Sequence, residues 1–311
     1  MEQNATLTKD KKGAINVSTF SQKIHSYLKH PFSLLVWIIT ILAALLTAAS
    51  FVYLVLYILI KGVPYLRPEL FSWTYDSNNV SMLPSIINTF LLTALSLVIS
   101  VPLGIFAAIY MVEYAKKGNR IVKFIRVTAE TLSGTAETLS GIPSIVYGLF
   151  GMIFFVGVLK MQLSLLSGSL TVAIMVLPTI MRTTEEALLS VPQSYREGSF
   201  GLGAGKLRTV FRIVLPSAVP GILSGVILAT GRIVGETAAL IYTAGTMAKV
   251  PNNLFASART LSVHMYLLSN EGLHTNEAFA TAVVLLVFVM LINMLANFVA
   301  RRLSAKNAEN D

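Results

Sequence analysis

Long runs without a charged residue constrain this chain more than any other feature of its sequence. Residues 34–60 form one such run, and its twenty-seven residues would make a helix roughly 40 Å long. The hydrocarbon core of a bilayer is about 30 Å thick, so this helix can cross it with some tilt. The chain as a whole is 54% hydrophobic and 13% charged, which excludes an ordinary soluble globular domain. The sequence therefore predicts an all-α, polytopic membrane protein.

Six transmembrane helices are predicted from these runs and from the polar segments between them. The predicted spans are residues 34–60, 84–112, a third helical region after residue 120 that ends near 159, residues 170–181 or 170–189, residues 217–244 and residues 278–300. The end of the fourth span depends on Pro178, because an interior proline kinks or breaks a helix. Segments 62–83 and 245–277 are predicted to be loops.

The distribution of lysine and arginine predicts the orientation of the chain. Eighteen of these residues lie on the side of the two termini, the 113–126 turn and the 182–212 loop. Five lie on the opposite side, namely Lys61, Arg67, Lys160, Lys249 and Arg259, and Arg232 is inside a span. The positive-inside rule places both termini in the cytoplasm. The net charge of +9 is thus a topology signal, and no nucleic-acid partner is predicted.

A polar, glycine-rich segment, residues 185–216, separates the fourth span from the fifth, and we refer to it as the docking loop. Glycines at 198, 201, 203 and 205 each cost roughly 1 kcal/mol in a helix interior. Further on, an i, i+3, i+4, i+7 pattern predicts one apolar helical face, formed by Leu207, Val210, Phe211 and Val214. The segment is therefore predicted to be a short helix, a glycine turn and an amphipathic helix that needs a partner to hold its shape.

Seven positions of this loop carry a resemblance to a known family. They are Glu197, Gly198, Ser199, Gly203, Ile213, Leu215 and Pro216. Their spacing resembles the cytoplasmic "EAA" loop of ABC importer permeases, with Gly198 and Ser199 where the two alanines of the usual pattern stand. The resemblance implies that the loop seats in a groove of the ATP-hydrolysing subunit and passes its motion to the membrane helices. An ordinary cytoplasmic loop is the alternative interpretation.

Two charged residues fall within the predicted fifth span, where charge is costly and usually faces a polar path or a partner. Arg232 and Glu236 are four residues apart, which predicts that they share one helix face. Gly231 and Gly235 beside them predict close helix approach or backbone contact. A structural ion pair is one interpretation. In the other, Arg232 attracts an anionic substrate and Glu236 pairs with Arg232 when the path is empty.

Three further stretches, residues 137–148, 181–188 and 231–238, resemble the phosphate permeases of the PstA type, and the likeness extends over residues 82–298. The resemblance implies a type I ABC importer permease fold in a bacterial inner membrane. It divides the chain into a cytoplasmic segment 1–33, a first helix and periplasmic loop 34–81, a transmembrane domain 82–298 and a cytoplasmic tail 299–311. It further implies phosphate and membrane lipid as partners, with a PstC-type permease, PstB-type ATPase subunits and a PstS-type periplasmic phosphate-binding protein. Arg182 and Glu186, at a cytoplasmic helix end, are consistent with a surface pair or a gating role.

No catalytic constellation and no Walker-type sequence is found, so the chain is not expected to be an enzyme or to bind a cofactor itself. ATP and Mg²⁺ would be used by the partner ATPase. The chain has no cysteine and its four histidines lack ligand spacing, so no metal site is predicted. The alternatives are an ABC permease for another oxyanion, such as molybdate or sulfate, an ion channel or secondary carrier, and, more remotely, an intramembrane enzyme.

A heptad, Thr-Ala-Glu-Thr-Leu-Ser-Gly, occurs twice in succession at residues 128–141. As helix, seven residues add about 10 Å of length and turn the helix face by only about 20°. Phosphate permeases carry one copy before the sequence Gly141-Ile142-Pro143-Ser144. The second copy is therefore either a harmless insertion or one that impairs function.

Overall fold

The computed structural model describes residues 31–114 and 142–308, and their regular structure is helical throughout. The α-helices in chain order are α1 Pro31–Gly62, α2 Leu83–Ile109, α3 Ser144–Gly151, α4 Leu165–Ser190, α5 Gln193–Gly201, α6 Lys206–Thr209, α7 Leu215–Val234, α8 Ala238–Thr243, α9 Leu261–Glu271 and α10 Thr275–Ala308. Three π-helical segments extend α2, α3 and α6, respectively Tyr110–Tyr114, Met152–Val158 and Val210–Val214. Two short 3₁₀ turns, Val63–Tyr65 and Pro68–Phe71, follow α1.

Five helical stretches within the described residues are long and apolar enough to cross a membrane. They are Phe32–Tyr65, Leu83–Tyr114, Leu165–Ser190, Lys206–Val234 and Thr275–Phe298. A sixth, shorter apolar stretch, Ser144–Val158, begins three residues after segment 115–141, which lies outside the described part of the chain. The prediction of an all-α, polytopic chain is confirmed.

The fourth span is longer than the first of its two predicted forms. α4 begins at Leu165, where the Ser164 hydroxyl accepts a hydrogen bond from the Ser167 backbone N–H at 3.2 Å and so caps the helix. It then continues through Pro178 to Ser190. A proline inside a membrane helix is tolerated where neighbouring helices and hydroxyl side chains satisfy the freed backbone groups.

Three predictions about the extent of helices and loops are wrong. The fifth span ends at Val234 instead of 244, and α8 is a separate helix after a break at Gly235. Segment 245–277 is not only a loop, because it contains α9, whose Leu261 and Leu268 are buried. The third helical region is interrupted, since Pro143 is extended and α3 starts only at Ser144. Helices as short as α3, α8 and α9 lack the length by which spans are recognised in a sequence.

The helices from Ile58 onward form one compact unit, and the residues up to Tyr57 form another. In the larger unit α4 packs between α2 and α7, while α10 packs on α7 and α9, and α8 packs on α3. One core cluster lies at the end of α4 that leads into the docking loop. Its buried members are Ala108, Ile109, Met181, Ala187, Leu188, Val191, Val210, Val214, Ala218 and Ile222. This cluster, the loop core, holds the docking loop against the ends of α2, α4 and α7.

Close approach of α4 and α7 depends on Gly225, whereas the sequence predicted that Gly231 and Gly235 permit it. A Cβ atom at Gly225 would overlap the Thr183 hydroxyl group of α4, so only glycine fits there without a shift. Gly231, by contrast, has open space where its Cβ would be, and Gly235 meets only the carbonyl of Gly231. The expectation that these two glycines permit close helix approach is therefore wrong within this chain.

Candidate docking and substrate sites

The docking loop folds as the sequence predicts, as a short helix, a glycine turn and a second helix. α5 ends at Gly201, and the Gly203 N–H donates to the Phe200 carbonyl at 2.9 Å. Gly203 has φ +81°, in the left-handed region that L-residues enter at a cost. The turn at residues 202–205 therefore requires glycine at position 203 for its backbone conformation.

The residues of the EAA-like pattern fall into an exposed and a packed group. Glu197, Gly198 and Gly203 are exposed, whereas Ile213, Leu215 and Pro216 are half-buried where α7 begins. Ser199 is buried, and its Oγ lies 2.8 Å from the Thr209 Oγ1. This bond joins α5 to α6 across the turn, and an alanine at position 199 could not make it.

The predicted apolar face of the second helix is split in the structure. Val210 and Val214 are fully buried in the loop core, but Leu207 is 65% and Phe211 41% exposed. The cause is the π-helical segment Val210–Val214, because i→i+5 hydrogen bonding changes the phase of a 3.6-residue pattern. The predicted apolar face is therefore divided into a pair of buried valines and a pair of exposed side chains.

Five large apolar side chains between residues 195 and 211 of the docking loop are exposed, and we call them the docking surface. They are Tyr195, Phe200, Leu202, Leu207 and Phe211. Leu202, at the tip of the turn, is 91% exposed. A depression of about 300 Å³ lies beside it, lined by Ser199, Gly203, Ala204 and Ile213 and by the guanidinium groups of Arg208 and Arg212. Exposed apolar groups with a charged rim are typical of protein interaction sites.

A buried ion pair that was not predicted from the sequence anchors the docking loop. Arg196 of α5 is 9% exposed, and its Nη2 and Nε lie 2.8 and 3.0 Å from Oε1 of Glu113, in the π-helical extension of α2. The two residues are 83 positions apart, and neither belongs to the EAA-like pattern. Glu113 directly follows the predicted second span, whereas Arg196 lies in the polar part of the docking loop, and no sequence pattern connects the two.

Arg232 and Glu236 do not share a helix face as predicted, because α7 ends between them at Val234. Glu236 is 7% exposed, and its carboxylate accepts a hydrogen bond from the Ala239 N–H at 3.0 Å, in the first turn of α8. Its own backbone carbonyl accepts from the Ser262 hydroxyl at 2.5 Å. Glu236 thus fixes the break after α7 and the start of α8.

Arg232 instead lines a cavity of about 340 Å³ between α4 and α7. The other lining residues are Pro178, Thr179, Arg182, Thr183, Glu186 and Leu228. Arg182 donates from Nε to Glu186 Oε1 at 3.0 Å, which confirms that these two residues pair. The cavity therefore holds two guanidinium groups and one carboxylate, together with threonine hydroxyls, and its lining carries one net positive charge.

The fold and these sites define a membrane component of a transport system. The chain belongs to the family described as "Binding-protein-dependent transport system inner membrane component", which matches residues 100–308. It is 33% identical over 289 residues to the "Probable ABC transporter permease protein YqgI" of Bacillus subtilis, covering 86% of this chain and 95% of that protein. It is 30% identical over 238 residues to the "Phosphate transport system permease protein PstA" of Haemophilus influenzae, with coverage of 75% and 81%.

A solved structure shows the same fold at low sequence identity. The chain matches one chain of a bacterial alginate ABC transporter in complex with an alginate pentasaccharide-bound periplasmic protein. The TM-score is 0.62 at 16% identity, over 89% of this chain and 98% of the other. The predicted type I ABC importer permease fold is confirmed, and the protein is a multi-pass component of the inner membrane.

Proposed function

We propose that this chain is the permease subunit of an ATP-driven importer of inorganic phosphate, forming half of the translocation path. The observation that carries the proposal is the cavity between α4 and α7, which is lined by Arg182 of α4 and Arg232 of α7. Relatives with phosphate transport in their names support the choice of anion. In this assignment both termini are cytoplasmic, and a PstC-type permease supplies the other half of the path. A PstS-type protein delivers phosphate from the periplasm.

The docking loop couples this path to a PstB-type ATPase. Leu202 and the rest of the docking surface supply apolar contact, and Glu197, Gly198 and Gly203 are exposed beside them. The chain binds no cofactor itself, and ATP and Mg²⁺ are used by the partner. Membership of a binding-protein-dependent family argues against an ion channel or secondary carrier, neither of which would use a docking loop.

In this cavity the positive groups pair with phosphate when it is bound and with a carboxylate when it is absent. Arg232 attracts phosphate, while Glu186 holds the neighbouring Arg182 when no anion is present. A partly neutralised site binds the anion without trapping it, which transport requires. In this assignment Glu186 takes the counter-ion role first expected of Glu236. Glu236 remains part of the path as the residue that shapes the break next to Arg232.

Uptake by Arg232→Gln in proteoliposomes with all partner subunits tests the assignment. The variant should assemble normally but transport phosphate about 10- to 100-fold more slowly, since a hydrogen bond to a charged group is worth about 1.5–3 kcal/mol. Arg232→Lys, which keeps the charge, should retain more activity, and Lys61→Gln, an exposed site, should match the parent.

Two results would contradict this role for Arg232. If Arg232 served only to balance Glu186, the double variant Arg232→Gln/Glu186→Gln would recover uptake, and we expect that it does not. The same vesicles report the substrate: faster uptake of sulfate or molybdate than of phosphate, each with its binding protein, would assign the permease to that oxyanion.

A further inference from the structure

Arg196 connects three parts of the chain through one guanidinium group. Its Nε and Nη2 donate to Glu113 at the end of α2, as described above. Its Nη1 donates to the Val191 carbonyl at 2.9 Å, and Nη2 also donates to the Leu188 carbonyl at 2.9 Å. These carbonyls belong to the end of α4, where helical backbone acceptors lack intrahelical partners. One buried side chain thus ties α5 to the ends of both α2 and α4.

A second cation of the docking loop contacts the same end of α2. Lys206, the first residue of α6, places its Nζ 5.1 Å from the centre of the Tyr114 ring, a cation–π distance. Tyr114 and Glu113 are neighbours in the π-helical extension of α2. The two helices of the docking loop therefore each hold this extension through one charged group.

The Arg196–Glu113 pair is suited to transmitting force. Replacing a buried ion pair with apolar residues is often neutral for stability, but removing one partner costs about 3–5 kcal/mol because the other charge stays buried and unpaired. Two segments joined in this way move together unless that cost is met. The pair lies next to the loop core, whose buried side chains include Ile109 of α2 and Leu188 of α4, and on its other side it lines an open depression of about 500 Å³.

We propose that Glu113 and Arg196 are positioning residues for energy coupling. When the ATPase moves α5, the pair carries the motion to α2 and α4, in addition to the covalent route from α6 to α7. This inference rests on the proposed function in one respect only, that the docking loop contacts an ATPase. Glu113 lies 83 positions away from Arg196 and outside the EAA-like pattern. The inference therefore assigns a role in coupling to a residue that this pattern does not include.

Glu113→Gln in the complete transporter tests the proposal. Glutamine keeps the volume and leaves Arg196 its bonds to the Leu188 and Val191 carbonyls. The ATPase should co-purify in the parent amount and hydrolyse ATP at the basal rate, but the component stimulated by phosphate-loaded binding protein should fall about tenfold, within the usual range of coupling energies. Glu113→Asp, which keeps the charge, should recover part of it. The exposed carboxylate variant Glu69→Gln should behave like the parent.

A distance measurement separates transmission of motion from a structural role. The chain has no cysteine, so spin labels can be placed at Phe106→Cys on α2 and Gln193→Cys on α5, both exposed positions. In the isolated parent the distance distribution should be narrow, and it should stay the same in the complex with and without trapped ATP. In Glu113→Gln it should broaden in the isolated chain and change when ATP is trapped.

Each outcome decides between the proposals. Parent-like stimulation or parent-like distances in Glu113→Gln would overturn the coupling role. Loss of ATPase binding in that variant would also overturn it, because the pair would then only build the docking surface. Absence of phosphate-stimulated hydrolysis in the parent complex would refute the proposed substrate, while the distances in the isolated chain would still report on the joint.

Discussion

At the scale of single residues, Gly203 shows how one backbone angle can define an interaction site. Its φ of +81° places it in the left-handed region, and the space where its Cβ would lie is open within this chain. An L-residue there costs roughly 1–2 kcal/mol, and its side chain would project from the turn. Gly198, which is helical and equally open, carries no such backbone demand.

Gly203→Asp should leave the chain in the membrane but abolish substrate-stimulated ATP hydrolysis. The new carboxylate would enter the depression that Arg208 and Arg212 border, where we place the ATPase. Membrane content, bound ATPase and hydrolysis are measured together. Gly203→Asn separates charge from shape, because asparagine tolerates the left-handed region, and Gly198→Ala should be silent. Normal phosphate uptake by Gly203→Asp with an unchanged amount of bound ATPase would refute the prediction.

At the scale of helices, two π-helical segments determine how the side chains near the docking loop are oriented. The segment Val210–Val214 separates buried Val210 and Val214 from exposed Leu207 and Phe211. The segment Tyr110–Tyr114 carries Glu113 towards Arg196. Both segments adjoin the docking loop, in agreement with the frequent occurrence of π-bulges at functional sites.

The repeated heptad belongs to this scale, although residues 128–141 lie outside the described part of the chain. Each copy carries a glutamate, Glu130 or Glu137, so insertion of the first copy into lipid would be expensive. We expect the additional seven residues, about 10 Å as helix, to lie in the cytoplasm, displace the Lys116–Arg120 turn and crowd the ATPase. Deletion of residues 128–134 should therefore raise phosphate uptake at matched expression. Equal uptake with and without the repeat would show that the insertion is silent.

At the scale of the whole molecule, the segments outside the spans are joined around His264 of α9. Arg259 contacts both His264 and Tyr75. Its Nη1 lies 3.3 Å from His264 Nδ1, and its guanidinium lies 5.1 Å from the centre of the Tyr75 ring. Tyr75 also meets the His264 ring edge-on, at 6.1 Å between ring centres. Burial, and secondarily the charge of Arg259, lower the pKa of His264 to about 3.

This lowered pKa predicts that the protein loses stability in acid. Between about pH 6.5 and pH 3 the unfolded chain binds a proton at His264 that the folded chain does not, so the contribution of neutral His264 is complete above pH 6.5 and falls by about 1.4 kcal/mol per pH unit below it. The Tm in detergent should therefore fall between pH 7 and pH 5. The fall should be smaller in His264→Gln, whereas the control His274→Gln should keep the parent slope. Equal slopes in all three proteins would contradict the prediction.

The sequence by itself determined the class of protein and the location of its docking loop. Charge-free runs and the glycine pattern at 198–205 are local properties, and bilayer thickness and helix propensity act on them directly. The short helix, the turn at Gly203 and the ends of the first span follow from such properties, and the structure agrees with each.

Only the tertiary structure decided which charged residues meet. Arg196 reaches Glu113 and Arg232 shares a cavity with Arg182 because α2, α4 and α7 pack together, and no local pattern encodes a contact between residues 50 or more positions apart. The early end of α7 likewise depends on Glu236, whose buried carboxylate binds the Ala239 N–H of the next helix. A buried charge takes whichever partner the packing of helices provides, because leaving it unpaired costs more than bending the chain.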